Sequence, residues 1–124
     1  MKGRQLWGFV AVMIVVLTIG GVLWYQHQQA VATIQLQTRE ATAGQALFAA
    51  MCETCHGPGG NGAGGAPVLN DGAVLQKYST PASLSAFISS NMPASDPGIL
   101  TTQEATDLTL YIFQLSHQFP PTHG

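Results

Sequence analysis

Charge is scarce in this chain. Of its 124 residues only 8% are charged, with four Lys and Arg against six Asp and Glu, whereas an ordinary globular domain carries about a quarter. The mean hydropathy is +0.20 and 46% of the residues are hydrophobic, which points to a membrane segment and excludes intrinsic disorder. Four basic residues and a net charge of -2 exclude a protein that grips nucleic acid by neutralising phosphates, so no nucleic-acid partner is expected. The length admits one small domain and one spanning helix, and is too short for a multi-domain enzyme or a transporter with several spans. Cysteine occurs twice, so a structural zinc site built on a second cysteine pair is excluded. A glycine-rich run from Gly57 to Gly65 has no following Gly-Lys-Ser/Thr and no preceding strand, which argues against a phosphate cradle. Neither a paired-carboxylate constellation nor a Ser-His-Asp set is visible, so catalysis is not supported. No internal repeat occurs.

The apolar residues gather first in a run from Leu6 to Tyr25, LWGFVAVMIVVLTIGGVLWY. As helix, roughly twenty residues at about 1.5 Å each match a hydrocarbon core of about 30 Å. Trp7 marks one end and Trp24 with Tyr25 the other, where amphipathic rings favour the headgroup level. Lys2 and Arg4 precede the run and the next basic residue is Arg39, so the positive-inside bias predicts a cytoplasmic N-terminus and export of the remainder. Ala30-Val31-Ala32 resembles a signal-peptidase site, but the run exceeds the roughly 7–15 apolar residues of a secretion signal, which favours a retained anchor. Residues 1–25 are thus expected to anchor the chain in the lipid bilayer, and 26–41 to form a juxtamembrane linker. That linker has no Pro or Gly, so it can prolong the helix or act as a modest tether. His27, within it, is expected to be a solvated interfacial side chain. A domain over 42–118 and a tail over 119–124 complete the expected organisation.

Both cysteines fall in one motif, Cys52-Glu53-Thr54-Cys55-His56, which reads C-x-x-C-H, the signature for covalent attachment of c-type haem. On a helix, thiols at i and i+3 share a face and can form thioethers with two haem vinyl groups, while His56 can place an imidazole nitrogen on the iron. A disulfide or thioredoxin-like redox pair also uses C-x-x-C, but it calls for a βαβ context, and no alternating strand pattern is present. Around the motif the sequence predicts helices. The first runs from about Thr42 into the cysteines, with Leu47, Ala50 and Met51 inward and Phe48 on the flank. A middle helix has Thr80 as N-cap, Pro81 at its first position, Leu84, Phe87 and Ile88 on one face, and an end before Pro93. The last opens on a capping box, Thr101-Thr102-Gln103-Glu104, with a stripe of Ala105, Leu108, Tyr111, Ile112 and Leu115.

These parts, from A-G-Q-A-L-F-A-A-M through C-E-T-C-H-G, G-P-G-G-N-G-A-G-G-A-P-V-L and N-M-P to a terminal helix containing L-x-x-Y-I, resemble the class I cytochrome c family over roughly Thr42 to Ser116. The resemblance implies an all-α cytochrome c fold around one covalent haem c, preceded here by a single transmembrane helix. It implies thioethers at Cys52 and Cys55, and His56 and Met92 as axial ligands of the iron. It further implies that the carbonyl of Pro67 orients His56 through the imidazole N–H, which would fix tautomer and basicity, and that Gly44 with Phe48 and Tyr111 forms the crossing of first and last helices. Met1 and Met13 belong to the membrane segment and Met51 adjoins the cysteines, so they are poorer ligand candidates than Met92. His117 and His123, at the end of the last helix and in the tail, are expected to be solvated.

Histidine plus thioether closes both axial positions and favours Fe(II), so the expected function is one-electron transfer at the outer face of the membrane, not catalysis. The chain would serve as a tethered carrier or as a subunit of a respiratory or photosynthetic complex. Its expected partners are membrane-bound redox proteins: a quinol-oxidising complex, a terminal oxidase or a reaction centre. Beyond the span only Arg39 and Lys77 oppose six acids, so no lysine ring steers docking, and sharing a membrane would supply proximity instead. Two rival readings remain open: a haem enzyme or gas-binding protein with an open sixth site, and a structural subunit whose span packs through Gly20 and Gly21.

Overall fold

In a computed structural model of the chain, residues 2–118 are described. The expected tail over 119–124, with His123, lies outside them, as does Met1. The elements in order are α1 (Lys2–Met51), α2 (Glu53–His56), a 3₁₀ turn (Pro58–Gly60), α3 (Ala73–Lys77), α4 (Pro81–Asn91) and α5 (Thr102–Leu115). No strand occurs among the described residues, and the fold is the all-helical one expected.

The chain divides into two compact units, Met1–Gln35 and Leu36–Gly124, with the division falling inside α1. In the first unit every described side chain is exposed, including Trp7, Phe9, Leu17 and Trp24. A helix this apolar is long enough to cross a membrane by length and composition. Its one hydroxyl between the flanking aromatics, that of Thr18, donates to the carbonyl oxygen of Val15 at 2.9 Å. The polar atom is thereby satisfied within the helix, as a hydrocarbon surrounding demands. α1 continues unbroken through residues 26–41, which contain neither Pro nor Gly.

In the second unit the phase of α1 differs from the expected one. Ala41, Gly44 and Phe48 are buried, Leu47 and Met51 are half-buried, and Ala50 is exposed. The cause is a backbone contact: a Cβ on Gly44 would overlap the carbonyl of Asp107 in α5. That close crossing turns Phe48 inward, where its ring lies 5.4 Å from that of Tyr111 at 58°. Phe48, expected on the flank, is one of the most deeply buried side chains.

α4 and α5 start as their sequences predict. Thr80 Oγ1 accepts from the Ser83 N–H at 3.2 Å while Ser83 Oγ accepts from the Thr80 N–H at 3.3 Å, with Pro81 at the first position. Thr101 Oγ1 accepts from the Glu104 N–H at 3.2 Å, and Glu104 Oε2 accepts from the Thr101 N–H at 2.8 Å. α5 is buried over most of its circumference, well beyond the expected stripe. Gly44 packs on one side, the small residues of α4 such as Ser85 and Ala86 face Thr109 and Leu110 on another, and Leu108 and Ile112 face a cavity on a third. Leu115, expected inside, is only half-buried. The polar groups this burial engulfs are satisfied locally: Thr109 Oγ1 donates to the Ala105 carbonyl at 2.7 Å, and Asp107 accepts from Gln103 Nε2 at 2.8 Å.

Two stability outcomes follow. Gly44→Ala gains about 1 kcal/mol of helix propensity but forces a methyl into a backbone, at about 1–3 kcal/mol or more, so the net effect is destabilising; thermal unfolding followed by far-ultraviolet circular dichroism reads it as a lowered Tm. The Thr101 N–H, then the Thr101 hydroxyl, hold the Glu104 carboxyl below its ordinary range against a smaller opposing desolvation. A depressed carboxylate contributes stability that is present above its unfolded pKa and lost as pH falls through the folded one. Acid unfolding of Glu104→Gln should therefore show a shallower loss of Tm across the carboxylate range than the parent protein.

Candidate functional site

α1 ends at Met51 and the chain turns at once into α2, a single turn whose N-cap is Cys52. The Cys52 N–H still donates to the Phe48 carbonyl at 2.9 Å, and the His56 N–H donates to the Cys52 carbonyl at 2.9 Å. This near-helical run brings Cys52 and Cys55 onto the wall of one cavity with His56. No disulfide joins Cys52 to Cys55. Burial pushes the Cys52 thiol above its ordinary pKa, with the nearby Cys55 adding to the shift.

The glycine-rich segment then folds back over the motif by backbone bonds. The Gly62 N–H donates to the His56 carbonyl at 2.6 Å and the Ala66 N–H to the Cys55 carbonyl at 3.0 Å. A Cβ on Gly64 would overlap the carbonyls of Thr54 and Cys55, so the seat is one that only glycine fits. The doubling back brings the carbonyl oxygen of Pro67 to 2.8 Å from His56 Nδ1. An N–H at Nδ1 donating to that oxygen leaves Nε2 unprotonated, the nitrogen with a lone pair to give. The rings of His56 and Phe48 lie 6.5 Å apart at 44°.

Met92 reaches the same cavity from the other end of the domain sequence. It is the C-cap of α4, in extended conformation, with its N–H donating to the Ile88 carbonyl at 2.9 Å; Pro93 follows through a cis peptide bond. The cavity holds about 600 Å³ and is walled mainly by apolar side chains, among them Phe48, Leu84, Ile88, Leu108 and Ile112. Its volume lies within the roughly 300–1,000 Å³ of cofactor sites. The structure thus brings Cys52, Cys55, His56, Pro67 and Met92 together, and the donor set fits a haem: two thiols, an oriented imidazole and a thioether on one apolar enclosure. His117, exposed just past α5, is not on the wall, and His27 is exposed in the first unit.

Several wall residues were not singled out from the sequence as facing a site. Phe48 was assigned to a flank, and Lys77 and Tyr78 carried no pattern that marked them. α3 is only five residues long, below the length at which periodicity speaks; its one local signal is Asp71, whose Oδ1 accepts from the Ala73 N–H at 2.9 Å.

Residues 39–112 match the family described as cytochrome c oxidase, cbb3-type, subunit III. A thiosulfate dehydrogenase of Psychrobacter arcticus is 36% identical over 84 residues, covering 58% of this chain and 25% of that protein. The chain therefore spans about a quarter of the length of this curated relative. No solved structure matches it.

The loop's seat can be tested by two adjacent substitutions. Gly64→Ala meets two backbone carbonyls and should cost about 1–3 kcal/mol as the loop lifts from the motif. Gly65→Ala has open space around it but a φ of +93°, so only conformational strain of about 1–2 kcal/mol applies. In thermal melts both should lower Tm, and only Gly64→Ala should also alter the spectrum of the bound cofactor.

Proposed function

Because the chain belongs to the family of cytochrome c oxidase, cbb3-type, subunit III, and is a class I c-type cytochrome with covalently bound haem c, we propose that it carries electrons singly at the outer face of a membrane to which α1 anchors it. Haem c supplies an Fe(II)/Fe(III) couple; the work of the protein is to hold it, fix its axial groups and keep water away. In this reading there is one haem, and Cys52 and Cys55 form its thioethers. His56 and Met92 ligate the iron, and the Pro67 carbonyl orients the imidazole. The observation that carries the reading is that these five residues, from three separated stretches of sequence, line one apolar cavity. If His56 and Met92 both held the iron, no position would be left for a substrate, and the chemistry the haem would supply is one-electron transfer. The thioether favours Fe(II) and raises the potential.

The apolar helix supports single-pass anchoring, and Lys2 and Arg4 before it favour a cytoplasmic N-terminus. Attachment to a membrane confines the domain near its partners and raises their effective concentration, which suits a surface without a basic ring. Those partners are membrane-bound redox proteins, a quinol-oxidising complex, a terminal oxidase or a reaction centre, met as a tethered carrier or within a complex. Thiosulfate oxidation, named for the relative, belongs to a protein of which this chain spans a quarter.

The test is the optical spectrum of the oxidised full chain in mild detergent, with and without Met92→Ala. A far-red sulfur-to-iron band in the parent that vanishes in the variant supports the ligand pair. A parent without that band, whose reduced form binds carbon monoxide readily, has an open sixth position, and a ligand-binding or catalytic role would replace electron carriage.

A further inference from the structure

Haem c bears two propionate carboxylates, and the cavity that fits it is largely apolar. A carboxylate brought against such walls without a counter-charge or hydrogen bonds is costly. Lys77 is the only Lys or Arg among the described residues of the wall. The other basic residue beyond the span, Arg39, is not on it. Lys77 closes α3, and its Nζ lies 5.3 Å from the centroid of the Tyr78 ring, which in turn lies 4.7 Å from the ring of Phe87. Tyr78 and Phe87 both line the cavity. The ammonium thus lies over the Tyr78 ring at the enclosure. Lys77 is also exposed, so it meets the cavity where water still reaches, the place suited to an ionised carboxylate.

We propose that Lys77 is the counter-ion of a haem propionate and thereby a residue that sets the reduction potential. The inference rests on the haem reading above. Its sign is fixed by charge: Fe(III) carries one more positive charge than Fe(II), and an unneutralised carboxylate nearby favours the oxidised form. Lys77, by neutralising it, raises the potential. The pair is exposed, so the effect is modest and weakens with ionic strength.

The experiment uses the full haem-loaded chain in mild detergent, with Lys77→Gln and Lys77→Arg. A pyridine haemochrome spectrum first establishes covalent haem in each. Potentiometric titration at low ionic strength should then show Lys77→Gln with a lower midpoint, so that at the parent's midpoint its reduced-to-oxidised ratio falls severalfold. The gap should narrow at high salt, and Lys77→Arg should lie close to the parent. Resonance Raman spectroscopy supplies the readout that a remote charge would not move: the propionate bending band should shift in Lys77→Gln and return in Lys77→Arg. A propionate band and midpoint unchanged in Lys77→Gln, with haem in place, would overturn the pairing alone. A parent protein without covalent haem would instead overturn the haem reading, and the pairing with it.

Discussion

Two helix backbones touch at Gly44, and the geometry of the cytochrome domain depends on that contact. Where a side chain would hold α1 and α5 apart, the glycine lets the α1 backbone approach Asp107 and Leu108 directly. The close approach sets the rotation of α1 about its own axis. One turn later Phe48 meets Tyr111, and one turn after that Cys52 faces the cavity, since positions four apart share a helix face. Desolvation raises the Tyr111 hydroxyl's pKa, with Glu53 contributing second. The motif thus has its orientation imposed from two turns upstream.

Around the cysteine motif the chain relies on main-chain bonds more than on side chains. The carbonyls of Cys55 and His56 receive the returning glycine-rich loop, and Leu69 N–H donates to the Gly60 carbonyl at 2.8 Å to close it. Ser116, just past α5, donates from Oγ to the Leu69 carbonyl at 3.0 Å and so fastens the loop to the terminal helix. A domain with so few charges and a short apolar core is held together in this way by its main chain. Covalent haem would complete a core that a domain of this size builds only with difficulty.

Local signals were legible in the sequence and long-range ones were not. C-x-x-C-H, Pro81 after Thr80, and the Thr101–Glu104 capping box each act within a few residues, and α4 and α5 start where their residues indicate, whereas the helix expected from about Thr42 is the end of α1, which runs from Lys2. The rotation of α1 could not be read from periodicity, because Leu47, Ala50 and Met51 make as plausible a stripe as Ala41, Gly44 and Phe48; the resemblance pointed to the crossing of Gly44 and Phe48 with Tyr111, and that crossing with α5 is what chooses between them. The burial of Thr109, Leu110 and Phe113 escaped the sequence pattern, since it depends on packing against segments distant in sequence. Cys52, Cys55 and His56 could be named from adjacency. Pro67 and Met92 came through resemblance, and Lys77 only through the shape of the wall.

The partner of His56 Nδ1 is a carbonyl oxygen of the polypeptide itself, and this gives the contact an unusual genetic property. A hydrogen bond to a side chain can be deleted by one codon change; one to the main chain cannot, because every residue at position 67 brings the same oxygen. Such a contact is lost only when the loop shifts. The orientation of the imidazole is therefore buffered against substitution at its own partner and is inherited from the conformation of the neighbouring glycines, so its mutational sensitivity lies several residues away from the atoms that make it.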